Sequence, residues 1–113
     1  MASPFEVTIE EHGGAVHARL GGELDISTAP RLEESLQRVE ADGPALLVID
    51  LSGLDFMDST GLRLLISADS RAREAGRRFV LIQGNEMVQR VLRLTRLDER
   101  LEIVADPGDL ALA

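Results

Sequence analysis

Apolar and polar residues alternate from Phe5 to Glu10, with Phe5, Val7 and Ile9 on one side and Glu6, Thr8 and Glu10 on the other. A period of two predicts a half-buried strand. Gly13-Gly14 turns the chain, and Ala15 to Leu20 reads as a second strand, so the pair predicts a β-hairpin. Gly21 to Asp25 then leads into a loop. Beyond it the period becomes helical. Ser27 or Thr28 stands at the cap position, Pro30 lies in the first turn, where its missing N–H has no partner to lose, and Glu33 and Glu34 follow. Leu32, Leu36 and Val39 form the apolar stripe, and Asp42-Gly43-Pro44 ends the helix.

Ala45 to Leu51 carries the unbroken run Leu46-Leu47-Val48-Ile49, the pattern of a central strand covered on both faces. A loop is expected from Ser52 to Met57. Asp58-Ser59-Thr60-Gly61 opens a second helix, with Gly61, Leu65, Ala68, Ala72 and Ala75 at alternating spacings of four and three, Leu62 and Ile66 widening the face, and Gly76 as the stop. Arg78 to Ile82 is a strand, Asn85 caps a helix carrying Val88, Val91 and Leu92, and Leu101 to Val104 is a short last strand. The order β-β-α-β-α-β-α-β predicts an α/β domain with parallel pairing, right-handed crossovers and helices over the sheet. No repeat or interior linker divides residues 1–113, so one domain is expected, with its core at about 5–104 and a weakly patterned tail at 105–113.

Composition narrows the chemistry. Cysteine is absent, which removes disulfides, thiolate metal sites and a Cys nucleophile. The two histidines, His12 and His17, have no neighbour at metal-ligand spacing. Without Trp or Tyr, base-stacking platforms are hard to build, and a formal charge of −8 repels phosphate backbones and anionic lipid. No nucleic acid partner and no direct membrane insertion are therefore expected. No apolar run approaches the roughly 20 residues that span a bilayer, and Met1 to Phe5 lacks the regions of a signal peptide, which makes the cytoplasm the expected location.

Asp25, Asp50, Asp55 and Asp58 all fall at loops beside strand ends, where α/β proteins place sites. Paired carboxylates can move protons or hold magnesium, but no Lys, Cys or loop His accompanies them and there is no Walker-type loop. Caps and turns are the commoner use of such residues. Ser59 is outside any G-x-S-x-G elbow, and no histidine follows it, which excludes a hydrolase triad in that chain order. No catalysis, metal or cofactor is expected. Recognition is the alternative. With Asp58 as cap, Ser59 becomes the first helical residue, its hydroxyl facing outward near free N–H groups. Gly61 would let another protein approach, and Leu54, Phe56 or Met57 would lie exposed beside the serine. The plain structural alternative makes Ser59 a second cap residue and Phe56 core.

Gly22-Glu23-Leu24-Asp25, Thr28-Ala29-Pro30, Val48-Ile49-Asp50-Leu51-Ser52 and Phe56-Met57-Asp58-Ser59-Thr60-Gly61-Leu62 closely resemble the STAS domain, and more narrowly the bacterial anti-sigma factor antagonists. The resemblance runs in order from about Phe5 to Val104. It implies a mixed sheet of four or five strands, an N-terminal hairpin and helices mainly on one face. It also implies a mechanism: the unphosphorylated antagonist binds an anti-sigma factor, often a serine kinase, and so releases the sigma factor. Phosphorylation of Ser59, with Thr60 as the fallback, ends the binding, and a metal-dependent serine phosphatase resets it. ATP and metal then belong to those partners. The expected partner-facing set is Asp25, Leu54, Phe56, Met57, Asp58, Ser59, Thr60 and Gly61. Two other roles compete: a STAS subunit of a lipid-transport ATPase complex, and a ligand-sensing module built on the Asp cluster.

Overall fold

The computed structural model describes residues 4–110. The first three residues, read above for a targeting signal, and the last three of the tail lie outside the described residues. The hairpin is β1 (Glu6–His12) and β2 (Ala15–Leu24), followed by α1 (Ala29–Glu40), β3 (Leu46–Met57), α2 (Ser59–Ala75), β4 (Arg78–Ile82), α3 (Glu86–Leu94) and β5 (Glu102–Val104). The five strands form one sheet in the order β1-β2-β3-β4-β5. The β1–β2 pair is antiparallel and the remaining three pairs are parallel.

Each parallel strand lies beside its predecessor, so every crossover of the same hand carries its helix over the same face. The core shows it: Leu32 and Leu36 of α1, Leu65 and Ala68 of α2, and Val88 and Leu92 of α3 share one buried cluster with Leu20, Leu47, Ile49 and Leu81 of the sheet. The stripes read from the sequence are thus the faces that bury. On the helix-free side, Val48, Val80 and Ile82 form a smaller cluster closed by Leu110. The tail reaches it through a tight turn at Pro107–Asp109, in which Asp106 accepts from the Gly108 N–H at 2.7 Å and the Asp109 carboxylate accepts from the Asp106 N–H at 3.1 Å. One apolar residue anchors a segment that carries no periodic pattern.

Two elements run longer than expected. β2 continues through Gly21 and Gly22 to Leu24, and Ser52 to Met57, expected as a loop, is the second half of β3. The β2–β3 register slips twice, between Arg19 and Gly21 and between Gly22 and Glu23, and each slip places one extra residue on β3. Buried positions then fall at Leu51, Leu54 and Met57, a spacing of three that conceals a strand. Gly22 is required at its slip: it holds φ 85°, and a Cβ there would lie 2.5 Å from the Pro4 carbonyl oxygen.

Candidate functional site at the start of the second helix

The carboxyl ends of β2 and β3 and the start of α2 meet at one end of the sheet. Asp58 is the N-cap of α2, and its Oδ1 accepts from the N–H groups of Thr60 at 2.9 Å and Gly61 at 3.2 Å. Its own N–H donates to the Leu24 carbonyl at 3.2 Å, which ties the cap to the end of β2. Two of the helix's free amides are therefore satisfied by a side chain other than that of Ser59. Ser59 is the first helical residue, is exposed, and its hydroxyl has no partner among the described residues.

The turn between β2 and α1 stands beside it. Asp25 Oδ1 accepts from the Ser27 hydroxyl at 2.6 Å and from the N–H groups of Ser27 at 2.9 Å and Thr28 at 3.2 Å. The Ser27 hydroxyl bond, with the amide bonds behind it, holds the Asp25 carboxyl below the usual carboxylate value. Thr28 stands at the N-cap of α1, yet its side chain does not cap the helix; its hydroxyl donates back to the Glu23 carbonyl at 2.8 Å. The expected Ser27 or Thr28 cap is thus replaced by the Asp25 turn, whose carbonyl takes the Ala29 N–H at 2.8 Å. One oxygen of the Asp25 side chain organises the turn.

That turn displays Ile26, 76 % exposed. The sequence reading passed over it, because an isoleucine between Asp25 and Ser27 fits neither neighbouring period and a lone exposed apolar residue carries no signal by itself. Ile26, Ala29 and Pro30 on one side and Thr60, Arg63 and Leu64 on the other line an open groove of about 480 Å³ between α1 and α2.

Three expected contact residues are corrected. Leu54 is 2 % and Met57 1 % exposed; the slips in β3 turn both into the core, and only Phe56, at 38 %, remains accessible. Gly61 is buried, and its missing side chain admits this chain rather than a partner: a Cβ there would lie 2.8 Å from Leu24 Cγ and from Met57 Cγ. The Asp cluster does not converge. Asp50 accepts from the N–H and hydroxyl of Ser52 at 2.9 and 2.6 Å and lies 3.7 Å from Arg19. His12 and His17 meet edge to face on the hairpin, with Glu10 3.6 Å from His12. No group of three or more candidate metal ligands occurs among the described residues, and no helix there is long and apolar enough to cross a membrane.

A one-sided α/β sheet with an exposed, unpartnered serine hydroxyl at a capped helix start, near an open groove between α1 and α2, has the form of a binding module. Its relatives agree. The STAS domain matches residues 6–110, and the chain belongs to this family, among its anti-sigma factor antagonists. The anti-sigma-F factor antagonist RsfB of Mycobacterium tuberculosis is 35 % identical over 111 residues, covering 96 % of this chain and 90 % of RsfB. The crystal structure of an anti-sigma factor antagonist from Mycobacterium paratuberculosis superposes with a TM-score of 0.86 at 32 % identity, covering 96 % of this chain and 94 % of that one. The phosphorylated form of SpoIIAA, a Bacillus cell fate determinant, shares the fold with a TM-score of 0.72 at 19 % identity, covering 91 % of this chain and 95 % of SpoIIAA.

Proposed function

We propose that this chain is an anti-sigma factor antagonist whose unmodified form binds an anti-sigma factor through the end of the sheet that carries Ser59, and that phosphorylation of Ser59 ends the binding. The observation that carries this reading is the free hydroxyl of Ser59 on a helix whose cap is already supplied by Asp58. A kinase can take that hydroxyl without breaking a bond the fold depends on. Thr60, half-buried and lining the groove, is the second choice.

A phosphate at the first turn of a helix gains about 0.3–1 kcal/mol, so the modification leaves α2 folded. SpoIIAA in its phosphorylated form keeps this architecture, which fits a switch that alters surface and not fold. The added charge of about −1.5 to −2 falls beside Asp58 and the Asp25 turn. A partner burying this patch must then desolvate an unpaired dianion. Defects of that kind cost about 2–5 kcal/mol, or about 30-fold to several-thousand-fold in affinity.

The anti-sigma factor in this scheme is itself the serine kinase and brings ATP and its metal. A serine phosphatase restores the hydroxyl, and the exchange runs in the cytoplasm, where sigma factors act. The chain contributes the surface and no catalysis. Capturing partners from a lysate of the source organism on immobilised Ser59→Ala and Ser59→Asp variants tests this. The alanine form should retain a kinase-like ATPase that the aspartate form loses. Equal retention by both would sink the switch, and a transporter ATPase held by both would point to the lipid-transport role.

A further inference from the structure

We infer that Arg63 is the counter-ion of phosphorylated Ser59, so that modification both adds a charge to the docking surface and withdraws from it the cation that the partner would otherwise use. The inference rests on the reading of Ser59 as the phosphorylation site.

Ser59 and Arg63 stand four residues apart in α2, on one face a turn apart, with the residue that gains negative charge on the N-terminal side. That is the favourable order for an i,i+4 ion pair. Both are exposed. The neighbouring arginines are engaged: Arg71 holds Glu33 at 3.0 Å and Glu40 at 2.7 Å, Arg73 holds Asp69 at 2.9 Å, and Arg31 lies over the Phe5 ring at 5.4 Å. Arg63 has no hydrogen bond or ion pair among the described residues. It is also the one cation among the described residues that line the groove between α1 and α2.

Among the described residues, none of the carboxylates around the site pairs with Arg63. At the N-cap of α2, Asp58 Oδ1 accepts from the amides of Thr60 and Gly61. From the β2–α1 turn, Asp25 is occupied by Ser27 and Thr28, and on α1, Glu33 is held by Arg71. Asp55, exposed near the end of β3, bonds to no cation among the described residues. In a chain of formal charge −8, a cation left unpaired in an apolar groove fits a carboxylate supplied from outside. A phosphate placed on Ser59 becomes the nearer and stronger acceptor, because it is tethered one turn away and carries about −1.5 to −2 charges against the single charge of a carboxylate. The phosphorylated state then presents neither the free hydroxyl nor the free cation.

Phosphoserine placed at position 59 during translation makes the test independent of any kinase. Its second ionisation, ordinarily near 6, is followed by phosphorus NMR. A neighbouring cation favours the dianion, so the value in the otherwise native chain should lie about 0.5 units below that of the Arg63→Gln variant, about threefold in proton affinity. About 1 M salt should erase most of the gap, and Arg63→Lys should restore part of it. Asp25, Asp55 and Asp58 act equally in all three chains, so the difference isolates residue 63. Equal ionisation in the native and Arg63→Gln chains would overturn the pairing. A kinase that ignores Ser59 would defeat the proposed function and leave this measurement standing. In the unmodified state, Arg63→Gln should bind the anti-sigma factor several-fold more weakly; unchanged affinity would overturn the withdrawn cation.

Discussion

Replacing Gly61 by alanine adds one methyl group where the first turn of α2 meets the ends of β2 and β3. The new carbon would sit 2.8 Å from both Leu24 Cγ and Met57 Cγ and 2.9 Å from Leu24 Cδ2. Leu24 is 0 % and Met57 1 % exposed, so neither can swing into solvent. Overpacking a filled core costs about 1–3 kcal/mol, and three contacts below 3.0 Å belong in the upper half of that range. Alanine returns up to about 1 kcal/mol as a better helix former, leaving a net loss of about 1–2 kcal/mol. For a chain of this size that lowers Tm by about 4–8 °C, read by calorimetry or by the circular dichroism of a thermal melt. A solvent-facing glycine would behave in the opposite way, because only the helix preference would remain. A Gly61→Ala variant with a Tm equal to or above that of the native chain would refute the packing role and return Gly61 to the surface.

Asp58→Ala should cost about 1 kcal/mol in urea denaturation, because two amides lose their acceptor, whereas Asp58→Asn should keep most of the cap. Leu110→Ala should cost about 2 kcal/mol, the low end for a buried leucine, since the cluster it closes with Val48, Val80 and Ile82 on the helix-free face is small; no loss would place the tail outside the folded unit. The hydrogen bonds from Arg78 hold the Glu102 carboxyl below its ordinary 4.5, so the pair's contribution is present above pH 4.5 and fades as pH falls through the lowered folded value. Glu102→Gln should therefore flatten the loss of stability on acidification below pH 4.5, followed by urea unfolding at stepped pH; an unchanged slope would contradict the pairing.

Elements with a clean period and marked ends were legible in the sequence. β4 carries the unbroken apolar run Phe79 to Ile82, and α2 is bracketed by Asp58, whose side chain caps it, and by Gly76, which ends it in the left-handed conformation. The second half of β3 was hidden because each register slip adds a residue, and the resulting spacing of three matches no simple strand pattern. The same slips decide which of Leu54, Phe56 and Met57 face outward, and no local pattern of the chain encodes that. The motif located Ser59 and its cap, because capping is a short-range property. The role of Gly61 depends on Leu24, far away in the chain but in contact across the fold, and so required the tertiary structure. Ile26 and Arg63 stood outside the motif, and they acquired meaning only when α1 and α2 were seen to form the two sides of one groove.

The affinity of the anti-sigma factor for the unmodified chain, set against the same chain carrying phosphoserine at position 59, tests the switch most directly. Titration calorimetry gives both values, and circular dichroism checks that the fold is unchanged. The account predicts a loss of about 30-fold or more on phosphorylation, with the helical signal intact. Equal affinities, or a loss of binding that appears only where α2 has unfolded, would contradict it.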